Sequence, residues 1–434
     1  MAYSAFIGTP KAAQDSRTLR FLTFWIVMGA ALYQLVLCFV HTHLFPMRTS
    51  IVGLSEFILY TGCLYVLARR MQLEFIAVLA MVAAYLFFMA LMRGSLDFKG
   101  FRDILIIVLF YWLGRTIGTM EMADRILKIV IALVLLFGFF ELFFVNQYSR
   151  VFNVFSYYVN QGGLAGATNW AGGSLALNGM RPEGIGRTIL PSLLGNHRVS
   201  SIFLEPVSLG NFAVIVAAWG LSKPREEWRR ILFYLAMSAI MITLADSRYG
   251  LLTVMCLVIM RLIFVGRMHY LAILLPVICV AMLLGIAQVM NGDHADNILG
   301  RLYLTGATLM HFGPKEIFGL NGYNFNFGDM GYAVVLTRFG LLFFTTCWIG
   351  FWLIRMKDER GVRFRSYVAL YASLILAISG TSLFALKSAG ILWFLVGCCA
   401  LRQRALAAAE PVAAAPAANA RLPRERERKV SYAH

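Results

Sequence analysis

Charge is scarce in this chain, and acid scarcer still. Asp, Glu, Lys and Arg make up 14% of the 434 residues, with 22 acidic side chains against 39 basic ones. A soluble domain carries roughly a quarter charged residues, so a water-soluble core is excluded for a chain that is 60% hydrophobic. Cysteine is too sparse and too buried in apolar sequence for a covalent framework. All seven (Cys38, Cys63, Cys256, Cys279, Cys347, Cys398, Cys399) fall in apolar runs at no metal-ligand spacing, which argues against disulfides and leaves no metal site to assign. No Walker or dinucleotide glycine pattern precedes a helix. No small-residue cleavage site follows the first apolar run, which is read as a retained anchor. No internal repeat marks an inverted-repeat transporter.

Long apolar runs are what the sequence does have. Crossing hydrocarbon takes about 20 apolar residues, and the candidates are 21–40, 51–68, 73–92, 102–118, 126–145, 201–221, 231–245, 249–265, 270–290, 331–353, 367–386 and 389–401. The expected fold is an all-α polytopic membrane protein of about twelve transmembrane helices, or eleven if a short run is only half inserted. Lys and Arg accumulate in cytoplasmic loops. With the amino terminus inside, 26 of the 39 fall on that side. The net charge of +17 is therefore an orientation signal, not a nucleic-acid footprint, and no nucleic acid is expected as a partner.

The organisation follows. A cytoplasmic segment (1–20) leads to helices one to five (21–145), a long periplasmic loop (146–200), helices six to nine (201–290), a second long loop (291–330), helices ten to twelve (331–401) and a basic tail (402–434). The Ala/Pro-rich tail ending Arg424-Glu425-Arg426-Glu427-Arg428-Lys429 cannot build a core and is expected to be disordered, either solvated or against anionic lipid. The first loop is Gly-rich from Gly162 to Gly195, which suits a lid over a site or a plain linker.

Candidate chemistry lies where charge persists on the outer side. Arg187, Arg198, Arg248 and Arg301 fall there, and Arg338 lies one to two turns inside the tenth run. A planar guanidinium grips phosphate with paired hydrogen bonds, so clustered arginines at a membrane surface suit a lipid-linked diphosphate; phospholipid head groups are the plainer explanation. Ionisable groups within spans are costly unless paired, which singles out Glu205, Glu56 and Glu141. Glu205 is read as a helix cap before Pro206, as a partner of Arg198 or Arg338, or as a general base. The second loop adds His311, Asn321, Tyr323 and Asp329.

Several of these residues form an ordered set: Arg198-x-x-Ser-x-Phe-x-Glu-Pro; Asp246-Ser247-Arg248-x-Gly250; Arg301; Phe318-Gly-Leu-Asn-Gly-Tyr-Asn-Phe325; and Asp329-x-x-Tyr332 with Phe339-Gly340-Leu341. This order resembles the landmarks of the O-antigen ligase and Wzy-type polysaccharide polymerase superfamily, over about a third of the chain. Overall the chain is most like xanthan-type exopolysaccharide polymerases.

The resemblance implies an inverting, metal-independent membrane glycosyltransferase without cofactor. Its site would be the periplasmic face of a bacterial inner membrane, and its substrate undecaprenyl-diphosphate-linked oligosaccharide. A flippase and a chain-length regulator are the partners it implies. For that chemistry the candidates are Arg198, Arg248, Arg301, Arg187 and Arg338 for the diphosphate, Asn321, Tyr323 and Tyr332 for sugar, and Asp329, then His311, then Glu205 for the base. Ligases of the family carry a His-Asn pair before the final Tyr. Here Asp329 and Met330 stand in those places, which favours a repeat-unit polymerase over a ligase. A lipid-linked oligosaccharide flippase is the alternative from another class.

Overall fold

The computed structural model describes residues 10–161, 187–195, 197–264, 266–290, 298–322, 327–328 and 330–401. In chain order the helices are α1 (Pro10–His43), α2 (Thr49–Ala68), α3 (Leu73–Arg93), α4 (Phe98–Thr116), α5 (Met120–Phe143), α6 (Val145–Val151), α7 (Val154–Asn160), α8 (Pro191–Leu194), α9 (Pro206–Ser222), α10 (Trp228–Ala245), α11 (Arg248–Ile263), α12 (Leu275–Val289), α13 (Ile298–Met310), α14 (Pro314–Ile317), α15 (Gly331–Leu353), α16 (Glu359–Ile375) and α17 (Leu386–Cys399). Each predicted apolar run falls on a helix. Among the described residues, seven helices are long and apolar enough to cross a membrane. This is the make-up of a polytopic helical membrane protein.

Local sequence explains the starts. Asp97, Thr119, Ser247 and Asp358 each accept a hydrogen bond from the backbone N–H three residues on, capping α4, α5, α11 and α16. Pro206 opens α9, where its missing N–H costs nothing.

Three of the helices lie in the interior. α9, α16 and α17 are buried on almost every face, whereas α3 buries only Phe75, Val82 and Met89. A helix apolar all round belongs inside a bundle, with the longer helices between it and lipid. Gly114 of α4 and Gly397 of α17 let these two backbones meet: a Cβ on Gly114 would collide with Phe394 O, and one on Gly397 with Tyr111 O.

Several boundaries differ from expectation: α1 starts at Pro10 and not 21, α5 at Met120 and not 126, α9 at Pro206 and not 201, and α12 at Leu275 and not 270. The eleventh run was predicted at 367–386, but α16 starts at Glu359 and ends at Ile375. The Arg-rich start is helical because its guanidinium groups bind the carbonyl ends of other helices. Arg365 donates to Trp352 O (2.7 Å) and Ile354 O (2.8 Å) after α15, and Arg363 to Ser222 O (3.0 Å) at the end of α9. Carbonyls at a helix end have no intrahelical N–H partner, and side-chain donors substitute.

Contacts sort the connections to two ends. At one end, here the loop end, lie the described residues 144–161, 187–195, 197–205, 246–247, 298–322, 327–328 and 376–386. At the other, buried Lys223 donates to Asp124 (2.9 and 3.0 Å), which also accepts from Trp219 Nε1 (2.6 Å) and Tyr234 (3.0 Å). Arg360 completes this cluster 3.7 Å from Asp124, so α5, α9, α10 and α16 are joined there.

Candidate functional site

Three groups of polar residues occupy the loop end. The first surrounds the α10–α11 turn. Asp246 adopts φ 48°, and its Oδ1 accepts from Thr188 N (3.0 Å) and Ile189 N (2.8 Å). Arg187 donates to Ile189 O (3.0 Å), His197 O, Thr243 O and Leu244 O (3.1 Å), while Arg198 Nε donates to Ala245 O (3.1 Å). Arg248 Nε donates to Thr188 Oγ1 (2.5 Å). Three of the five predicted arginines are thus brought together. Two of them, Arg187 and Arg198, close the carbonyl end of α10.

The 197–204 segment is held from α5. Glu141 is buried and accepts from Ser200 N (3.0 Å), Ser201 N (2.6 Å) and Ser200 Oγ (3.0 Å), with His197 Nε2 3.0 Å away. Among the described residues the non-glycine positions with positive φ are Leu190, Ser201, Leu204 and Asp246, all of them here. Such backbone persists only where the surroundings over-determine it, and it concentrates at functional sites.

The second group runs through the interior as an unbroken chain. Ser208 Oγ donates to Glu205 Oε2 (2.7 Å), which also accepts from Lys387 Nζ (2.7 Å). Lys387 Nζ donates to Gln34 Oε1 (3.0 Å), Gln34 Nε2 to Tyr33 OH (3.2 Å) and Tyr33 OH to Glu56 Oε1 (2.9 Å). Arg102 Nη1 lies 3.5 Å from Glu56 Oε2 and donates through Nη2 to Asp103 Oδ1 (2.8 Å). Arg338 then joins Asp103 (2.9 Å) to Asp97 (2.6 and 2.7 Å). Buried charges are tolerated only when paired and hydrogen-bonded, and each one here is. In the loop before α4, burial opposes the Asp97 charge, and Arg338 and Gly100 N outweigh it, holding the carboxyl below its ordinary range.

This chain takes two predicted residues elsewhere. Glu205 sits at the N-cap position of α9 but makes no capping bond, and its charged partner is Lys387 in place of the expected Arg198 or Arg338. Arg338 is away from the α10–α11 turn, with its guanidinium shared between two carboxylates. A carboxylate ion-paired as Glu205 is accepts a proton poorly.

The third group is a hollow of about 400 Å³ lined by Ala307, Thr308, His311, Phe312, Glu316 and Phe327. His311 is exposed, and its Nδ1 lies 2.7 Å from Ala307 O. A carbonyl can only accept, so Nδ1 carries the proton, and in the neutral ring Nε2 is left as the basic nitrogen. Glu316 Oε2 accepts from Gly313 N (3.0 Å) and Oε1 from Asn321 Nδ2 (2.5 Å); the Phe312 and Phe327 rings stand 5.7 Å apart. Arg301 lies on α13 seven residues before Thr308, two turns along the same face.

Tyr332 is buried and donates to Ser373 O (3.0 Å), a packing position and not a wall of the hollow. Tyr323, Asp329 and the Gly-rich stretch 162–186 lie outside the described residues. Sequence reading missed Lys387, Asp103 and Arg102, although ionisable residues at the ends of apolar runs were a usable signal. No family model matches the chain, and no curated protein or solved structure matches it.

Proposed function

We propose that this protein is a membrane glycosyltransferase that polymerises oligosaccharide repeat units carried on an isoprenoid diphosphate, the undecaprenyl form being the one the family resemblance implies. In this reading it has about twelve spans in a bacterial inner membrane, both termini are cytoplasmic, and the loop end is periplasmic. The observation that carries it is the hollow at His311. Two aromatic rings, a hydroxyl and a carboxylate suit a sugar, and an imidazole with its Nδ1 committed to Ala307 O offers Nε2 as a base.

The chemistry follows from these groups. The acceptor hydroxyl loses its proton to His311 Nε2 as its oxygen bonds the anomeric carbon, and the isoprenoid diphosphate leaves with the bonding electrons. Arg248, Arg198 and Arg301 oppose the charge that grows on the leaving group, a kind of stabilisation often worth several kcal/mol. His311 takes precedence over Glu205 because the latter is ion-paired. Purified protein in nanodiscs, given lipid-linked repeat unit alone, is expected to make longer chains. Unchanged repeat unit after many turnover times refutes the reading.

The buried ion chain supports a second reading, a lipid-linked oligosaccharide flippase, because transporters place paired charges inside the bundle. In sealed vesicles a flippase moves the repeat unit across the bilayer without lengthening it.

A further inference from the structure

α15 is interrupted at Gly340, where φ is 78° and ψ 156°. A break of this kind removes helical N–H partners from the carbonyls just before it, and lipid supplies none in their place. α3 does. Tyr85 OH donates to Phe339 O (2.7 Å), and Arg93 Nη2 donates to Arg338 O (2.6 Å) and more weakly to Thr337 O (3.4 Å).

The same guanidinium reaches a second element, since Arg93 Nε donates to Gly319 O (2.7 Å). Gly319, at φ 74°, lies against the break; a Cβ there would stand 2.7 Å from Gly340 N and 2.9 Å from Leu336 O. Gly319 belongs to 313–322, the segment that carries Glu316 and Asn321 at the hollow. α3 otherwise buries only Phe75, Val82 and Met89, with Val78, Leu79 and Leu86 half-buried against the core and Glu74 paired with Arg115 at its start. Its hydrogen bonds near the loop end come from Tyr85 and Arg93.

We propose that Arg93 is a positioning residue for the hollow: by bridging the α15 break to 313–322, it sets where Glu316 and Asn321 stand relative to His311. Recognition of the sugar then depends on a helix that faces lipid. The role needs a planar fork, because two separate nitrogens of one guanidinium serve carbonyls of two different elements, whereas an ammonium donates from one nitrogen. The inference rests on the glycan reading of the hollow, and the test separates the two.

Full-length wild type, Arg93→Lys and Tyr85→Phe are compared in nanodiscs by backbone hydrogen exchange and by chain elongation. The substrate is lipid-linked repeat unit extracted from cells lacking the gene. Arg93→Lys is expected to speed exchange in 313–322 about tenfold, the scale of one lost hydrogen bond, with α9 and α17 unchanged. KM for the repeat unit should rise about tenfold while kcat stays within about twofold, the pattern of lost substrate positioning. Tyr85→Phe keeps the bridge, so its 313–322 segment should exchange as in wild type. Unchanged exchange in Arg93→Lys, an equal effect from Tyr85→Phe, or a fall in kcat at constant KM overturns the proposal. If wild type makes no polymer, the transferase reading fails, and exchange alone decides whether Arg93 holds the segment.

Discussion

Arg338 of α15 grips Asp97 with two hydrogen bonds, Nε to Oδ2 at 2.6 Å and Nη2 to Oδ1 at 2.7 Å, and spends Nη1 on Asp103 at 2.9 Å. One guanidinium thereby fastens α15 to both the N-cap and the second turn of α4. Arg338→Met would leave Asp103 buried without this cation, a loss of about 3–5 kcal/mol for a broken buried pair. The expected result is a clearly lower unfolding temperature in detergent, with partial recovery when Asp97→Asn and Asp103→Asn are added. An unchanged midpoint for the single variant would contradict the pairing.

Acid should act on the same contact. Asp97 titrates below its ordinary value in the folded protein, so the contact stabilises fully above the unfolded carboxyl's pKa of about 3.9 and is lost as pH falls through the lower folded value. Wild type is expected to lose stability below about pH 4 more steeply than Asp97→Asn, as read by unfolding midpoints across that range.

Lys387 and Glu205 test the other end of the chain. Lys387 is buried and its ammonium serves Glu205, Gln34 Oε1 and Phe203 O (2.8 Å). Lys387→Met should destabilise by about 3 kcal/mol or more, and Glu205→Gln in the same protein should return part of it. A double-mutant cycle in detergent measures the coupling, and strictly additive effects would speak against a direct pair.

At Gly340, alanine meets both a left-handed backbone and crowding, with a Cβ 2.6 Å from Phe318 O. The backbone alone costs about 1–3 kcal/mol, because φ 78° with ψ 156° is open to glycine almost exclusively. Gly340→Ala should lower stability by more than that and raise hydrogen exchange in 313–322, whereas Gly350→Ala, with open space around it, should be silent.

The helices were legible because lipid demands uninterrupted apolar sequence, and that demand leaves its mark in every run from 21 onward. The interior charge chain was not legible, because Arg338 and its partners Asp97 and Asp103 are 241 and 235 residues apart. No local pattern reports a pair at that separation. For a related reason the contacts of Arg187 and Arg198 were not legible: the sequence marks them as outward-lying arginines, and the carbonyls of Thr243, Leu244 and Ala245 that they meet lie about 50 residues away. His311 was legible as a candidate from its place in the second long loop, and its tautomer follows from a carbonyl only four residues earlier. The start of α16 was hidden because Arg363 and Arg365 look solvated in sequence but bind the ends of α9 and α15.

The most direct test of the account is chain elongation by purified His311→Gln and Arg248→Ala beside wild type, each first shown to be folded by its unfolding midpoint. Wild type should lengthen lipid-linked repeat unit and release one isoprenoid diphosphate per bond formed. His311→Gln should lower kcat by about 100-fold or more, the usual scale for a lost general base, with KM little changed. Polymer formed by folded His311→Gln and Arg248→Ala at the wild-type rate would contradict the account.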